Sequence, residues 1–204
     1  RGQKVYVETC PQYLLMDDSL YELPGFESAK YVCAPPLRKK EDQDCLWKGL
    51  ADGTIQTVST DHCSFTTEQK KLGEGDFTKI PGGMPGAETR GTLIYTYGVD
   101  KGRITKEDMC RVLSENPAKL YGLYPRKGVI APGSDADLVI MRTGVEDVIT
   151  AKDQVQNVDY APFEGTKVTG RVESVFLRGL QAVKDGKVVE EKKGEFLKRG
   201  KYAL

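Results

Sequence analysis

Histidine is almost missing from this 204-residue sequence, which holds only His62. A catalytic zinc site draws about three protein ligands, mostly histidine, cysteine or carboxylate. A metal centre built wholly within this chain therefore lacks donors. The five cysteines (Cys10, Cys33, Cys45, Cys63, Cys110) are odd in number, widely spaced and include no C-x-x-C. That pattern argues against a disulfide framework or a thiolate zinc site and for reduced thiols. Charge of one sign is lacking too: Lys plus Arg and Asp plus Glu number 30 each, so no net field draws nucleic acid or an anionic membrane. No apolar run approaches the roughly 20 residues of a membrane span, and the first residues lack the apolar core of a signal peptide. Residues 65–86 are rich in glycine, yet no G-x-G-x-x-G opens a helix and no G-K-[ST] occurs, so a loop over a pocket rim reads better than a phosphate cradle. The absences together favour a cytoplasmic protein that binds neither nucleic acid nor membrane. The chain also reads as the middle of something longer, since Arg1 is followed almost at once by a strand.

What is present has the grammar of an α/β fold. Residues 5–9 are β-branched and aromatic and stop at Pro11, which suits a strand buried on both faces. Residues 29–34 suggest a second extended piece, closed by Pro35-Pro36. From Lys40 the acidic first turn Glu41, Asp42 and Asp44, the interior Cys45, Leu46, Trp47 and Leu50, and the terminal Gly53 predict a helix. Residues 54–59 then form the strand that delivers Asp61. Helices are expected over 89–97, after the cap Thr105 with Asp108, and again after Asn116-Pro117, with asparagine as the N-cap and Gly122 as the stop. Past Pro125 the period changes. Residues 128–131, 136–141, 172–177, 180–183 and 187–190 read as antiparallel strands with turns at Arg178-Gly179 and Asp185-Gly186. Residues 1–125 thus form an α/β part and 126–204 a small all-β part, with a charged tail over 190–201 that is solvated or in contact with another subunit.

Asp61 is an acid at the carboxyl end of a strand, where α/β folds place their sites. It can ligate a cation or accept a proton, and it can equally be a turn-capping aspartate. His62 reads more readily as a supporting histidine than as a ligand. A serine-histidine-acid triad fails because adjacent residues of an extended chain face opposite ways. The same alternation takes His62 away from Cys63, leaving that thiol without an activating base. If Asp61 binds a metal, most of the ligands lie elsewhere.

Five blocks carry a resemblance: residues 5–14 (VYVETCPQYL), 34–38 (APPLR), 59–63 (STDHC), 116–119 (NPAK) and 133–138 (GSDADL). In that order they resemble the dihydropyrimidinase and D-hydantoinase branch of the amidohydrolase superfamily, over essentially the whole chain. The resemblance implies a (β/α)8 barrel with a binuclear, usually zinc, site and a small β-sandwich. Only the C-terminal portion would be here, with residues 5–9 and 54–60 as the last two barrel strands. In the family the metals are held by a His-x-His pair, a carboxylated lysine, two further histidines and the aspartate that matches Asp61. Asp61 would then be both metal ligand and general base, taking a proton from the metal-bridging hydroxide and passing it to the leaving amide nitrogen.

Substrate contacts in the family are largely from backbone atoms, at positions matching Ala34 and the turn that contains Gly82. The sequence has Ala34 where serine is frequent and Gly82 where asparagine is frequent, which leaves hydantoins, dihydropyrimidines and related imides open. The implied partners are a small cyclic amide and further copies of the chain, tetramers being common in the family. Two functions follow: a portion of a cyclic-amide hydrolase that is inactive without the missing barrel half, or a non-catalytic scaffold or assembly module of the same fold.

Overall fold

The computed structural model describes residues 2–189 and 194–204. Proline sets the first corner. Strand β1 (Glu8–Thr9) ends at Cys10, and helix α1 (Pro11–Leu15) starts on Pro11, whose missing N–H has no partner to lose at a first helical position. Helix α2 (Lys40–Asp52) follows, with Glu41 and Asp42 in its first turn and Gly53 closing it in the left-handed conformation at φ 82°. Two side chains lock it to α1: Trp47 Nε1 donates to the Leu14 carbonyl at 3.2 Å, and Gln43 Nε2 to the Met16 carbonyl at 2.9 Å. The chain then returns as β2 (Thr57–Val58), parallel to β1 with Glu8 opposite Thr57 and Thr9 opposite Val58. Strand, helix and parallel strand put the end of β2 beside the end of β1, as the sequence predicts.

Helix α3 (Thr67–Lys70) and short 3-10 turns punctuate the following loop. Helix α4 (Arg90–Ile94) runs on into a π-helical turn, Tyr95–Val99. Helix α5 (Lys106–Cys110) is capped reciprocally by Thr105 and Asp108, continues through a second π-helical turn at Arg111–Glu115, and ends as α6 (Asn116–Leu120). The remainder is an antiparallel sheet in the order β3 (Leu138–Val148), β4 (Lys167–Leu177), β5 (Leu180–Lys184), β6 (Lys187–Val188). Both of its tight turns have two successive positive φ values, 50° and 82° at Arg178-Gly179 and 49° and 73° at Asp185-Gly186. This is the geometry whose twist matches that of the paired strands.

One core joins Leu14, Trp47, Leu50, Ile55, Val58, Ile94, Ile104 and Val112 beneath the parallel strands. A second joins Met16, Leu37, Met84 and Leu93 to Ile149, Ala161, Phe163 and Val168, so the antiparallel sheet packs on the loops that follow α1 and β2. Each fully buried apolar side chain contributes about 1.5–3 kcal/mol. No helix of the described residues is long and apolar enough to cross a membrane.

Several expectations are corrected. The first strand is not buried on both faces: Val5 is 72% and Val7 42% exposed, and among the described residues β1 pairs with β2 alone. Residues 29–34 form no strand: the 3-10 turn Glu27–Tyr31 takes in the first three of them, and the chain becomes extended only at Val32. Cys45 lies on the exposed face of α2, and Gln43 takes the buried place through its bond to Met16. Asn116 is helical rather than a cap, since the π turn carries the helix into Pro117 and the Asn116 amide donates to the Gln56 carbonyl at 2.8 Å. Residues 128–131 form no strand. Glu190, expected in the last strand, lies outside the described residues, as do 191–193 of the tail. The tail beyond them is mostly exposed, as expected of a solvated end, and bonds back to the chain at its last residues: Gly200 N donates to Gly122 O, Ala203 N to Lys119 O, and Tyr6 Oη to Leu204 O.

Candidate active site

Asp61 follows the end of β2 with φ 47°, a left-handed conformation that aspartate tolerates better than most residues. Its carboxylate is exposed and makes no hydrogen bond or ion pair among the described residues. The turn also breaks the alternation expected from an extended strand. After it, His62 pairs in parallel with Met84 and Cys63 N donates to the Met84 carbonyl at 3.0 Å. His62 is an anchor: its Nδ1 accepts from Gly86 N at 3.0 Å and Ala87 N at 3.2 Å, which leaves the ring proton on Nε2.

The strand ends below Asp61 are held by side chains. Gln12 Nε2 donates to the Thr60 carbonyl at 3.2 Å, Arg90 to the Val58 carbonyl at 3.1 Å, and the Cys10 thiol meets Ser59 Oγ at 3.3 Å. Burial pushes the Cys10 thiol up, aided by Glu8 and Asp61. The Cys63 thiol is raised by burial and then by Asp61, and Cys33 by burial. None of these is a thiolate nucleophile at neutral pH.

Ala34 and Gly82 are both exposed, on segments that the structure stitches together. Gly83 N donates to the Val32 carbonyl at 2.8 Å. Tyr13 Oη donates to the Pro35 carbonyl at 3.0 Å, and burial raises that phenol strongly, with smaller contributions from Cys33, Cys10 and Asp61. Tyr21 Oη accepts from Leu37 N at 2.7 Å and is pushed up to about 12, chiefly by burial. Gly83 has φ 129°, and a Cβ there would lie 2.5 Å from the Cys63 side chain, so only glycine lets this turn rest on the segment after Asp61. The residues singled out in sequence, Ala34, Asp61 and Gly82, thus lie on three segments tied to one another by backbone bonds.

Sequence reasoning missed Lys70. It stands in a run of polar residues that reads as solvated, yet it is completely buried and its Nζ donates to the carbonyls of Val32, Pro81 and Gly83 at 3.1, 2.6 and 2.8 Å. No local signal marks it, because the acceptors are distant in sequence. Among the described residues no group of three or more His, Cys, Asp or Glu could hold a metal ion.

The chain is similar to known proteins over nearly its whole length. It is 50% identical over 204 residues to the D-hydantoinase of Geobacillus stearothermophilus, covering 99% of this chain and 43% of that protein. A solved D-hydantoinase structure superposes with a TM-score of 0.96 at 50% identity, covering 100% of this chain and 45% of the other. The dihydropyrimidinase of Brevibacillus agri NCHU1002 gives 0.90 at 49% identity, over 92% and 41%. The chain therefore spans less than half the length of these relatives. The amidohydrolase family model matches residues 16–189, which include the turn at Asp61 and the segments of Ala34 and Gly82. Sequence identity, backbone agreement and that match lead to one assignment: the chain belongs to the amidohydrolase family.

Proposed function

We propose that this chain is the C-terminal portion of a metal-dependent cyclic-amide hydrolase that opens the ring of hydantoins or dihydropyrimidines. The observation that carries the reading is the unpartnered Asp61 carboxylate, exposed at a left-handed turn that is tied to the segments bearing the exposed residues Ala34 and Gly82. Residues 1–125 would supply the last two strands and following helices of a (β/α)8 barrel. Residues 126–204 would supply part of a small β-sandwich and the tail. The names of the D-hydantoinase and dihydropyrimidinase relatives support the substrate class.

The fit to a metal is partial. Asp61 offers one hard oxygen donor, suited to zinc, and the described residues offer no cluster to complete the shell. The remaining ligands belong to the preceding part of a longer protein. When bound, the metal supplies Lewis-acid activation at the substrate carbonyl. Asp61 takes the proton lost by the attacking water on a carboxylate oxygen and returns it to the ring nitrogen as the C–N bond breaks. Orientation of the cyclic amide falls to backbone groups at Ala34 and Gly82, since neither side chain has a polar atom. The same reading carries a cytoplasmic homotetramer.

The test compares the isolated chain with the same chain joined to its preceding barrel half. The joined protein is expected to bind zinc and hydrolyse hydantoin or dihydrouracil, and the isolated chain to do neither. Asp61→Asn, which keeps the left-handed turn, lowers kcat/KM by roughly 10²–10⁴-fold. An isolated chain that binds zinc and turns over substrate would sink the fragment reading. A joined, folded protein that does neither would favour the non-catalytic scaffold.

A further inference from the structure

Lys70 closes α3, whose start is held by the reciprocal Thr66–Gln69 cap and by Thr67 N donating to Asp159 at 2.9 Å. Its side chain is fully buried, and each ammonium proton has one acceptor: Val32 O at 3.1 Å, Pro81 O at 2.6 Å and Gly83 O at 2.8 Å. The acceptors belong to two segments far apart in sequence. One leads directly into Ala34, and the other brackets Gly82. Gly83 N also donates to Val32 O, so that carbonyl receives both a backbone and an ammonium proton.

We infer that Lys70 is a positioning residue for substrate binding: its ammonium holds the Ala34 segment and the Gly82 turn at one fixed separation. The inference rests on the proposed function, in which those two segments grip the cyclic amide. An apolar side chain of similar length would fill the space but leave three carbonyls without their shared donor. A buried ammonium is costly and is retained where acceptors converge on it. Phe65 adds its ring face, 5.8 Å from Nζ, and the Cys33 and Cys63 thiols are the titratable groups nearby. The far end of the turn is fixed independently by His62, which accepts from Gly86 and Ala87. Without Lys70 the strap keeps His62, the Cys63–Met84 bond and the single Gly83–Val32 bond, and loses the donor that joins both sides of Gly82 to Val32.

The experiment uses the complete, zinc-loaded protein that contains this chain, with hydantoin and dihydrouracil as probes. Lys70→Met is expected to raise KM on the order of 10- to 100-fold while kcat changes less than about threefold, the signature of lost binding that is uniform along the reaction. Lys70→Gln, which keeps two N–H donors, is expected to fall between. Amide exchange at Gly83 speeds up in both variants, while exchange within α2 does not change. Unchanged KM in a folded Lys70→Met protein overturns the inference, as does an equal fall in kcat and kcat/KM. Failure of both variants to fold also overturns it, because the role would then be structural only. A wild-type protein that hydrolyses no cyclic amide, but whose Lys70→Met variant shows faster exchange at Gly83, retains the clamp and refutes the proposed substrate.

Discussion

Lys70 shows how one side chain can carry a cost in stability and a gain in order. Burial lowers its pKa from 10.5 to about 8, while Cys33 and Cys63 act weakly in the opposite direction. Between those values the unfolded chain binds more protons than the folded one, so stability rises with pH across that window. Below about pH 8 the full cost of the buried charge is present; above about 10.5 it is gone. Denaturant midpoints of the wild-type protein should therefore rise relative to Lys70→Met from pH 8 to 10.5, and a constant difference would contradict a depressed pKa. Asp61 is the opposite kind of residue, exposed and unpartnered, with a conformation rather than a contact to mark it. Its place just after a strand was legible in sequence. The left-handed turn was not, because aspartate occupies ordinary extended backbone as readily.

Elements whose signals are short-range were the legible ones. The acidic start and Gly53 stop bracket α2, Thr105 and Asp108 cap α5, and the Arg178-Gly179 and Asp185-Gly186 turns join three strands. In each case the residues act on backbone within a few positions of themselves. Asn116 shows the limit of that reading. Asparagine before proline has the form of a helix start, yet the π turn at Arg111–Glu115 carries the helix through it. Its amide instead satisfies the Gln56 carbonyl just before β2. Asn116→Ala should cost about 1–3 kcal/mol, since it leaves a partly buried acceptor unpaired, and urea unfolding measures it. A change under about 0.3 kcal/mol would mean that water replaces the amide without penalty.

For the whole molecule, the notable feature is the uncovered lead into the parallel strands: Thr9, Thr57 and Val58 are buried, but the residues before β1 are not. Among the described residues β1 and β2 pair only with each other, Val5 and Val7 are exposed, and so are Val139, Ile140, Leu180 and Val188 on the antiparallel sheet. Open edges and exposed apolar side chains favour association. If the proposed barrel half covers them, amides of β1 and β2 in the isolated chain should exchange much faster than in the joined protein, and the isolated chain should self-associate on size exclusion. Equal protection in both would show that the two strands need no further cover.

The sequence by itself determined the α/β order, the caps, the tight turns and the acid that ends β2, because these depend on backbone preferences of neighbouring residues. Only the tertiary structure decided that Lys70 is buried, that His62 Nδ1 anchors the residue 86–87 backbone, that residues 29–34 and 128–131 are not strands, and that Ala34, Asp61 and Gly82 lie on segments bonded together. Those outcomes rest on carbonyls and amides converging from segments tens of residues apart. No local pattern encodes which donor will meet them.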